Sequence, residues 1–351
     1  MADTRLTPRT LDGSVTISLV IPVYDEDDAV LDELATRLGA VLAGLPCRGQ
    51  VVLVDDGSGE PTRNKLRALA AADPRVTLVR LARNFGHQPA VAAGLDHARG
   101  DVVVLLDGDL EDPPELIPEL LARWQEGYEV VLANRRSRHL NPLRRLLFAG
   151  FYRIFELLAD FPVPVQAGLY CLLGRRAWQQ LAGLREANRF LPGLRAWVGF
   201  PTTTVTYDRG RRGGGEPKQT LARLFRYASD AIFSFSYKPL RLSLAFGAIM
   251  FVVSSLYAFV LLVMRVLNIN VVSGFSTVAI ASLFFGGAIL MSNGILGEYL
   301  GRIYDEVKRR PLYVVEEVVG DAPAPEPSLA EARLAEPKLA EAKRAGYPLA
   351  P

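Results

Sequence analysis

The sequence is poor in the residues that build disulfide frameworks and zinc sites. It has two cysteines, Cys47 and Cys171, which exclude a disulfide scaffold and fit a reducing compartment. Its three histidines, His87, His97 and His139, lie far apart and lack the spacing of zinc ligands. The formal net charge is only +2, so no overall field favours binding to nucleic acid.

Both ends of the chain lack the apolar patterning of folded elements. Residues 1–15 are polar and contain no apolar core of a signal peptide, so we expect a flexible N-terminal arm. Residues 321–351 are rich in Ala, Pro, Glu and Lys, with no aromatic residue before Tyr347. This composition is typical of a disordered tail.

Charged residues are absent from two long apolar runs, at 242–264 and 275–297. A helix of this length extends about 35 Å, enough to cross a hydrocarbon core of about 30 Å. Because the link between the runs is short, we predict a two-helix transmembrane hairpin with these two spans. A buried helical hairpin in a soluble core is the alternative, although soluble helices rarely lack charge on every face.

Basic residues flank this pair of runs on its outer sides. Lys238 and Arg241 precede the first run, and Arg302 and residues 308–310 follow the second. The positive-inside rule therefore predicts a multi-pass protein of the cytoplasmic (inner) membrane with both termini in the cytoplasm. Residues 298–320 would then form a cytoplasmic C-terminal segment.

Residues 221–241 combine aromatic and leucine side chains with Arg223 and Arg226. This pattern fits a juxtamembrane helix that lies in the membrane interface before the first span. An ordinary packed helix fits the pattern as well, and the sequence does not separate the two.

The N-terminal part of the chain alternates apolar, β-rich runs with helical segments. The runs that indicate strands are 16–23, 50–56, 75–81, 101–107 and 128–135. Helical spacing recurs near 28–44, 62–72 and 88–98. This alternation predicts an α/β domain with a mainly parallel sheet, which we place at 16–220. No GxGxxG follows the first strand, so a dinucleotide-binding fingerprint is absent.

Acidic residues crowd the predicted end of the fourth strand, where Asp107, Asp109 and Glu111 alternate with other residues. Close like charges repel one another, so a compensating cation is expected. Carboxylate oxygens are the ligands that Mg²⁺ or Mn²⁺ prefers, and we predict that these three residues bind such an ion together with a diphosphate. The alternative is a set of solvated turn acids.

Neighbouring acids receive separate interpretations. Asp55 and Asp56 end another predicted strand, and this second acidic pair favours the metal and diphosphate hypothesis. Asp112 precedes a helical pattern, and we interpret it as the N-cap, with Pro113 as the first helical residue.

Several motifs together resemble those of the family 2 glycosyltransferases, which have a GT-A (Rossmann-like) fold. They are VIPVYDE, VDDGS, RNFGHQPAVAAGLDHARGD, DGDLEDPPE and EGYEVVLANR. More narrowly, the chain resembles the polyprenyl-phosphate glycosyltransferases, whose relatives include dolichyl-phosphate mannose synthase. The resemblance spans residues 16–318. The QxxRW signature of processive synthases is not found in the sequence.

The resemblance implies which residues bind the sugar donor. Pro22, Tyr24 and Glu26 match the first-strand motif that lines the nucleotide base and ribose. Asp56 matches the acid that holds the uracil or guanine, and we assign Asp55, which precedes it, to the donor-binding residues as well.

The resemblance also implies a metal site. Asp107 and Asp109 match the metal-binding DxD motif and would be catalytic. Glu111 stands where relatives often have Gln.

Basic residues that match the family's phosphate-binding positions lie further along the chain. Arg135 matches a basic residue after the fifth strand of the donor site. Arg209, Arg212 and Lys218 match a segment that closes over phosphates, although Pro217 replaces the usual Ser. Arginine forks and a lysine suit the binding of a diphosphate. A basic patch attracted to anionic lipid is the alternative for this loop, and both could hold at once.

One stretch departs from the family pattern. Gln166 and Leu169 stand where acids often occur, and Cys171 replaces an Arg. A sugar hydroxyl would need a general base at this place, but a lipid phosphate is already ionised at neutral pH and needs none. The substitution therefore fits a phosphate acceptor, and a weak or inactive enzyme is the other outcome. We interpret Cys171 as a packing residue.

The resemblance implies a membrane-anchored transferase that moves a sugar from a UDP- or GDP-sugar to polyprenyl (undecaprenyl) phosphate, with inversion. Its partners would be the nucleotide sugar, the lipid phosphate and the membrane, with no nucleic acid. Tetramers are known among relatives, so a homo-oligomer is one possibility. The alternatives are a non-catalytic sugar-nucleotide-binding membrane scaffold and a transferase that uses a hydroxyl acceptor.

Overall fold

The computed structural model describes residues 6–135, 168–207, 236, 238–267 and 274–320. These residues belong to two compact units. The sheet unit holds the described residues up to Arg135, those of 168–207 and those of 311–320. The helical unit holds the described residues from 236 to 310.

The sheet unit contains one eight-stranded sheet with the order β7-β5-β6-β4-β1-β2-β3-β8. Its strands are β1 (Thr16–Val23), β2 (Arg48–Asp55), β3 (Val76–Leu81), β4 (Val102–Leu105), β5 (Val130–Arg135), β6 (Cys171–Gly174), β7 (Thr202–Tyr207) and β8 (Val315–Val319). Its helices are α1 (Asp28–Ala43), α2 (Glu60–Ala72), α3 (His87–Asp96), a 3₁₀ turn (Pro114–Leu116), α4 (Ile117–Gln125), α5 (Arg175–Gly183) and α6 (Leu191–Trp197).

The first four strands run parallel, with β1 paired to β2 and β4, and β2 paired to β3. Strand β6 lies antiparallel between β4 and β5, and β7 pairs in parallel with β5. The five strands predicted from the sequence are confirmed, with small shifts at their ends. The sheet as a whole is mixed, because β6 and β8 run antiparallel to their neighbours.

Helix α3 packs very close to the sheet because residue 94 is a glycine. A Cβ at Gly94 would lie 2.2 Å from Cγ1 of Val20 and 3.1 Å from Cγ2 of Val54. The helix residues from Ala90 to Leu95 are buried against the strands. The N-terminus of α3 is thereby fixed at the carboxyl ends of β1 and β2, where parallel sheets bind their ligands.

The N-terminal segment is docked on the sheet unit, so the prediction of a flexible arm is wrong for residues 6–15. The Arg9 backbone N–H donates to the Gln125 carbonyl at 2.8 Å. The Arg9 guanidinium pairs with Glu129 and lies 5.1 Å from the Trp124 ring centroid. Glu129 is a buried carboxylate, and a buried charge requires a partner of opposite sign. Residues 1–5 lie outside the described residues.

The last described segment also differs from expectation. Residues 311–320 belong to the sheet unit, and β8 pairs antiparallel with β3. The N–H of Ala82 donates to the Val314 carbonyl at 2.9 Å, which extends this pairing. The predicted domain limits of 16–220, and the separate C-terminal segment 298–320, are therefore wrong for these residues. Strand β8 also covers the edge of β3, which would otherwise leave backbone groups unpaired.

The helical unit consists of α7 (Lys238–Val266) and α8 (Phe275–Lys308). Among the described residues, one stretch is long and apolar enough to cross a membrane, Lys238–Leu261, with a mean hydropathy of 2.3 and no burial. It overlaps the first predicted span. The second predicted span, 275–297, lies within α8, and the two-span hairpin stays a prediction.

The two helices of this unit contact one another through Ser243 and Ser292, whose hydroxyl oxygens lie 2.5 Å apart. The rings of Phe246 and Phe284 also meet, with centroids 6.3 Å apart. Most of the interfacial helix predicted at 221–241 lies outside the described residues, and its last four residues form the first turn of α7. The tail predicted at 321–351 lies outside them too.

Candidate active site

The acids Asp107 and Asp109 follow β4 at the carboxyl edge of the parallel strands. Oδ1 of Asp107 lies 2.9 Å from Nε2 of His87, the first residue of α3. Gly108 lies against the end of β1, where a Cβ would be 3.2 Å from the Pro22 carbonyl oxygen. The close packing at Gly108 constrains the backbone between Asp107 and Asp109. It also means that Pro22 is buried beneath this loop, so any contact that it makes with a ligand involves little surface.

The carboxylates of Asp107 and Asp109 suit a divalent cation that shares its remaining positions with phosphate and water. The Asp107 side chain is 29% exposed, so its oxygens are accessible to a ligand. In the part of the chain that the structure describes, no three His, Cys, Asp or Glu side chains form a group that could hold a metal. Asp107 and Asp109 offer two carboxylates of the kind that such an ion binds.

The third predicted metal ligand, Glu111, does not complete such a group. Leu110 adopts a left-handed conformation with φ 57°, and the N–H of Glu111 donates to Oδ1 of Asp109 at 3.0 Å. This tight turn brings the backbone N–H of residue 111 to the Asp109 carboxylate. Glu111 itself is 8% exposed. The role of Glu111 as a third metal ligand stays a prediction.

Asp56 holds the loop that leads into α3. Its two carboxylate oxygens accept hydrogen bonds from the N–H groups of Phe85, at 2.7 Å, and Gly86, at 2.9 Å. Burial raises the pKa of Asp56, and these two hydrogen bonds oppose the rise. Gly86 has φ 100°, a conformation that favours glycine. Asp56 thus positions His87, and through it the carboxylate of Asp107.

Asp55 has an internal role that differs from the donor contact we predicted. Its side chain is 1% exposed and pairs with the Arg80 guanidinium. Its Oδ1 accepts the N–H of Ser58 at 2.8 Å. A carboxylate that is buried and hydrogen-bonded on both oxygens has no surface with which to bind a nucleotide, so Asp55 acts by holding the loop after β2.

The segment after β1 contains two of the predicted donor-binding residues, Tyr24 and Glu26. Tyr24 is 49% exposed, which leaves its ring accessible to a base. Asp25, between them, has a left-handed backbone with φ 47°. The carbonyl of Glu26 accepts the hydroxyl of Thr62 at 3.0 Å, which connects this segment to α2.

Arg135 ends β5 and takes part in a buried cluster with Asp112 and Tyr207. Its Nη2 lies 3.1 Å from Oδ2 of Asp112, and its Nε donates to the Tyr207 hydroxyl at 3.1 Å. The Tyr207 hydroxyl in turn donates to Asp112. Burial raises the pKa of Asp112, while Arg135 and Tyr207 oppose the rise. A contact of Arg135 with the donor stays a prediction.

Asp112 does not cap the helix that follows it, and that prediction is wrong. The N-cap residue is Pro113, and no side-chain cap hydrogen bond is made there. Asp112 is 0% exposed, so its carboxylate faces the cluster with Arg135 instead of the helix end. Local sequence pattern could not predict this cluster, because Arg135 and Tyr207 come from two other strands, β5 and β7.

Only part of the stretch that departs from the family pattern, residues 165–176, lies among the described residues. Gln166 lies outside the described residues, as do Arg209, Arg212 and Lys218. Leu169 presents its backbone carbonyl to Arg195, whose Nη1 donates at 3.2 Å. Cys171 is fully buried, and burial raises the pKa of its thiol, which supports its interpretation as a packing residue.

His87 is the site residue that the sequence reasoning did not assign. It was excluded as a zinc ligand because no second histidine or cysteine stands at the right spacing. The available signal was its place after a predicted strand, in RNFGHQ, next to the other polar strand ends.

Known glycosyltransferases are similar to this chain over most of its length. The family description "Glycosyl transferase family 2" matches residues 18–180. The chain is 39% identical over 86% of its length to an "Uncharacterized glycosyltransferase YkcC" of Bacillus subtilis, and covers 94% of that protein. It is 37% identical over 86% of its length to the "SfII prophage-derived bactoprenol glucosyl transferase" of Shigella flexneri, and covers 97% of it.

These similarities and the mixed sheet together define the class of protein. It is a glycosyltransferase with a GT-A fold. The chain belongs to glycosyltransferase family 2. The resemblance found in its motifs is confirmed.

Proposed function

We propose that this protein transfers a sugar from a UDP- or GDP-sugar to a polyprenyl phosphate, and that it does so at a membrane surface. The observation that carries the proposal is the pair Asp107 and Asp109 at the end of β4, in a chain that is 37% identical to a bactoprenol glucosyl transferase. The name of that relative includes bactoprenol, which is a polyprenyl alcohol. We therefore assign a polyprenyl phosphate to this chain as its acceptor.

Asp107 and Asp109 would hold a divalent cation, Mg²⁺ or Mn²⁺, with the diphosphate of the donor. When bound, such an ion neutralises the charge that develops on the departing diphosphate. His87 keeps Asp107 in place, and Asp56 keeps the loop before His87 in place. The exposed ring of Tyr24 is available to stack on the base, and we assign Glu26 to the ribose.

The remaining donor contacts in this proposal come from Arg135, Arg209, Arg212 and Lys218. A guanidinium fork binds two phosphate oxygens at once, which holds the diphosphate in line for its departure. Closure of residues 209–218 over the phosphates would exclude water from the reacting carbon.

The reaction is a single displacement at the anomeric carbon. An oxygen of the acceptor phosphate forms the new bond to that carbon while its bond to the diphosphate oxygen breaks, and the electron pair leaves with the nucleoside diphosphate. The configuration of the carbon is inverted. The acceptor phosphate is largely ionised at neutral pH, so no general base is required, and Leu169 in place of an acid is compatible with turnover.

The apolar stretch Lys238–Leu261 supports a membrane anchor, because no part of it is buried. In the proposed topology, 275–297 is a second span and the sheet unit lies in the cytoplasm. An anchor of this kind keeps the site near the depth at which a polyprenyl phosphate presents its head group.

The test incubates the purified full-length protein with undecaprenyl phosphate, Mn²⁺ and a panel of radiolabelled UDP- and GDP-sugars. We expect label to enter the lipid phase with one donor, and to stay out of it when undecaprenol replaces the phosphate. Transfer to undecaprenol would instead indicate a hydroxyl acceptor. No transfer with any donor, combined with nucleotide binding, would indicate a non-catalytic scaffold.

The metal assignment has its own variant. Asp109→Asn should reduce transfer by at least about a hundredfold, since it removes one of two proposed ligands. Glu126→Gln changes an exposed acid at the end of α4 and should leave transfer unchanged. Full activity of the Asp109→Asn variant would contradict the proposed metal site.

A further inference from the structure

A series of hydrogen-bonded charges connects the C-terminal strand β8 with the end of β2. Glu316 of β8 accepts a hydrogen bond from Nε of Arg80 at 2.7 Å. Nη1 of Arg80 donates to Oδ2 of Asp55. Oδ1 of Asp55 accepts the N–H of Ser58 at 2.8 Å. Arg80 therefore connects Glu316 of β8 with the loop that follows β2.

The same series continues into the segment after β1. The hydroxyl oxygen of Ser58 accepts the N–H of Asp25 at 3.1 Å, and Oδ1 of Asp25 accepts the N–H of Gly59 at 2.8 Å. Asp25 has φ 47°, a left-handed conformation that is uncommon for residues other than glycine, and its two hydrogen bonds stabilise it. Asp25 lies between Tyr24 and Glu26, the residues assigned to the base and ribose of the donor.

Because Asp55 and Arg80 are buried, a change at either charge strongly affects the other. The side chains of Asp55 and Arg80 are 1% and 10% exposed, and water screens such a pair poorly. Glu316 is 44% exposed, and its hydrogen bond with Arg80 lowers its pKa, so it is ionised at neutral pH. Without Glu316, Nε of Arg80 loses this acceptor, while the guanidinium keeps its contacts with Asp55 and with the Ser58 carbonyl.

We propose that Glu316 is a positioning residue for the nucleotide sugar. Through Arg80 and Asp55 it fixes the loop at Ser58, and through Ser58 it fixes the shape of the Tyr24–Glu26 segment. Strand β8, which follows the two long helices in the chain, thus contributes to donor binding without contacting the donor. The inference rests on the proposed function, because it requires that this edge of the sheet binds a nucleotide.

The adjacent residue provides a matched control. Glu317 lies in the same strand and forms an ion pair with Arg67 of α2, with Nη2 at 2.5 Å and Nε at 3.1 Å. The two side chains of that pair are 32% and 37% exposed. Glu317→Gln therefore removes one ionised partner from β8, as Glu316→Gln does, but it leaves the contacts of Asp55 intact.

The experiment measures the binding of UDP and of GDP, each with Mn²⁺, to the full-length protein by calorimetry. The variants are Glu316→Gln, Glu316→Asp and Glu317→Gln, each with its melting temperature. We expect Glu316→Gln to weaken binding of the recognised nucleotide by about threefold to tenfold. Glu317→Gln should stay within about twofold of the unchanged protein, and Glu316→Asp, which keeps the charge, should recover part of the loss.

The outcomes separate this inference from the proposed function. Absence of nucleotide binding by the unchanged protein contradicts the proposed function. If the unchanged protein binds and the two glutamine variants bind equally well, the positioning role of Glu316 is wrong. An equal loss of melting temperature in both glutamine variants, with weaker binding in Glu316→Gln alone, supports it.

Discussion

Nε2 of His87 lies 2.9 Å from Oδ1 of Asp107, so the first residue of α3 holds the first acid of the DxD motif. The helix that supplies His87 is itself fixed at two points. Asp56 binds the loop before it, and Gly94 allows its body to pack directly on Val20. The position of the Asp107 carboxylate thus depends on α3, on Asp56 after β2 and on Val20 in β1.

Replacement of His87 by Ala should weaken the use of the divalent cation. We expect the Mn²⁺ concentration that gives half-maximal transfer to rise roughly tenfold, because residues that orient metal ligands have effects of this size. His87→Asn, which retains a polar group, should recover part of the loss. An unchanged Mn²⁺ dependence in the Ala variant would show that His87 does not position Asp107.

Gly94→Ala should destabilise the sheet unit by about 1–3 kcal/mol, because the new methyl group would lie 2.2 Å from Val20 Cγ1. Gly39→Ala in α1 is the control, since a Cβ there meets nothing within 4 Å. That change should be neutral or stabilising by up to about 1 kcal/mol. Thermal unfolding of the two variants measures both effects, and equal melting temperatures would contradict the close packing of α3.

Arg9→Ala should cost about 3 kcal/mol of unfolding free energy, because it removes a cation from the buried carboxylate of Glu129. Arg123→Ala breaks an ion pair between exposed side chains and should cost less than about 1 kcal/mol. Chemical unfolding curves compare the two variants. A similar small cost for both would mean that the segment 6–15 does not contribute to stability.

Glu115→Gln should remove a pH-dependent part of the stability. Two donors of Arg37 bind Glu115, at 2.8 and 2.6 Å, and they lower the pKa of this carboxyl from 4.5. A lowered pKa in the folded state gives stability that is present above the ordinary value and is lost as the pH falls through the lowered value.

The melting temperature of the unchanged protein should therefore exceed that of Glu115→Gln at pH 6, and the difference should shrink as the pH falls below 4.5. Glu119→Gln, a change at an exposed acid of α4, serves as the control. A difference between the unchanged protein and Glu115→Gln that does not depend on pH would contradict the role of this ion pair.

The sequence predicted the elements whose signal is local. Strand β1 spans Thr16–Val23 as predicted, because an apolar run rich in β-branched residues ends there before Tyr24 and Asp25. The position of Asp107 and Asp109 just after β4 could be predicted because parallel strands bring their carboxyl ends to one edge. Cys171 was predicted to be a packing residue, and it is fully buried.

Features that depend on distant partners were missed. Strand β8 is short, and its pairing with β3 joins residues more than two hundred positions apart. Asp112 has the spacing of an N-cap, yet its partners, Arg135 and Tyr207, come from two other strands. The docking of residues 6–15 depends on the buried charge of Glu129, whose burial cannot be read from local pattern.

The position of β8 at the far end of the chain has a consequence for biosynthesis. A ribosome releases residues 315–319 only after it has made α7 and α8, so a nascent chain carries an open β3 edge throughout that interval. The sheet is therefore completed only after both long helices have been synthesised. A chain that stalls before this point keeps an unpaired, aggregation-prone edge at β3, which chaperones and quality-control proteases can recognise.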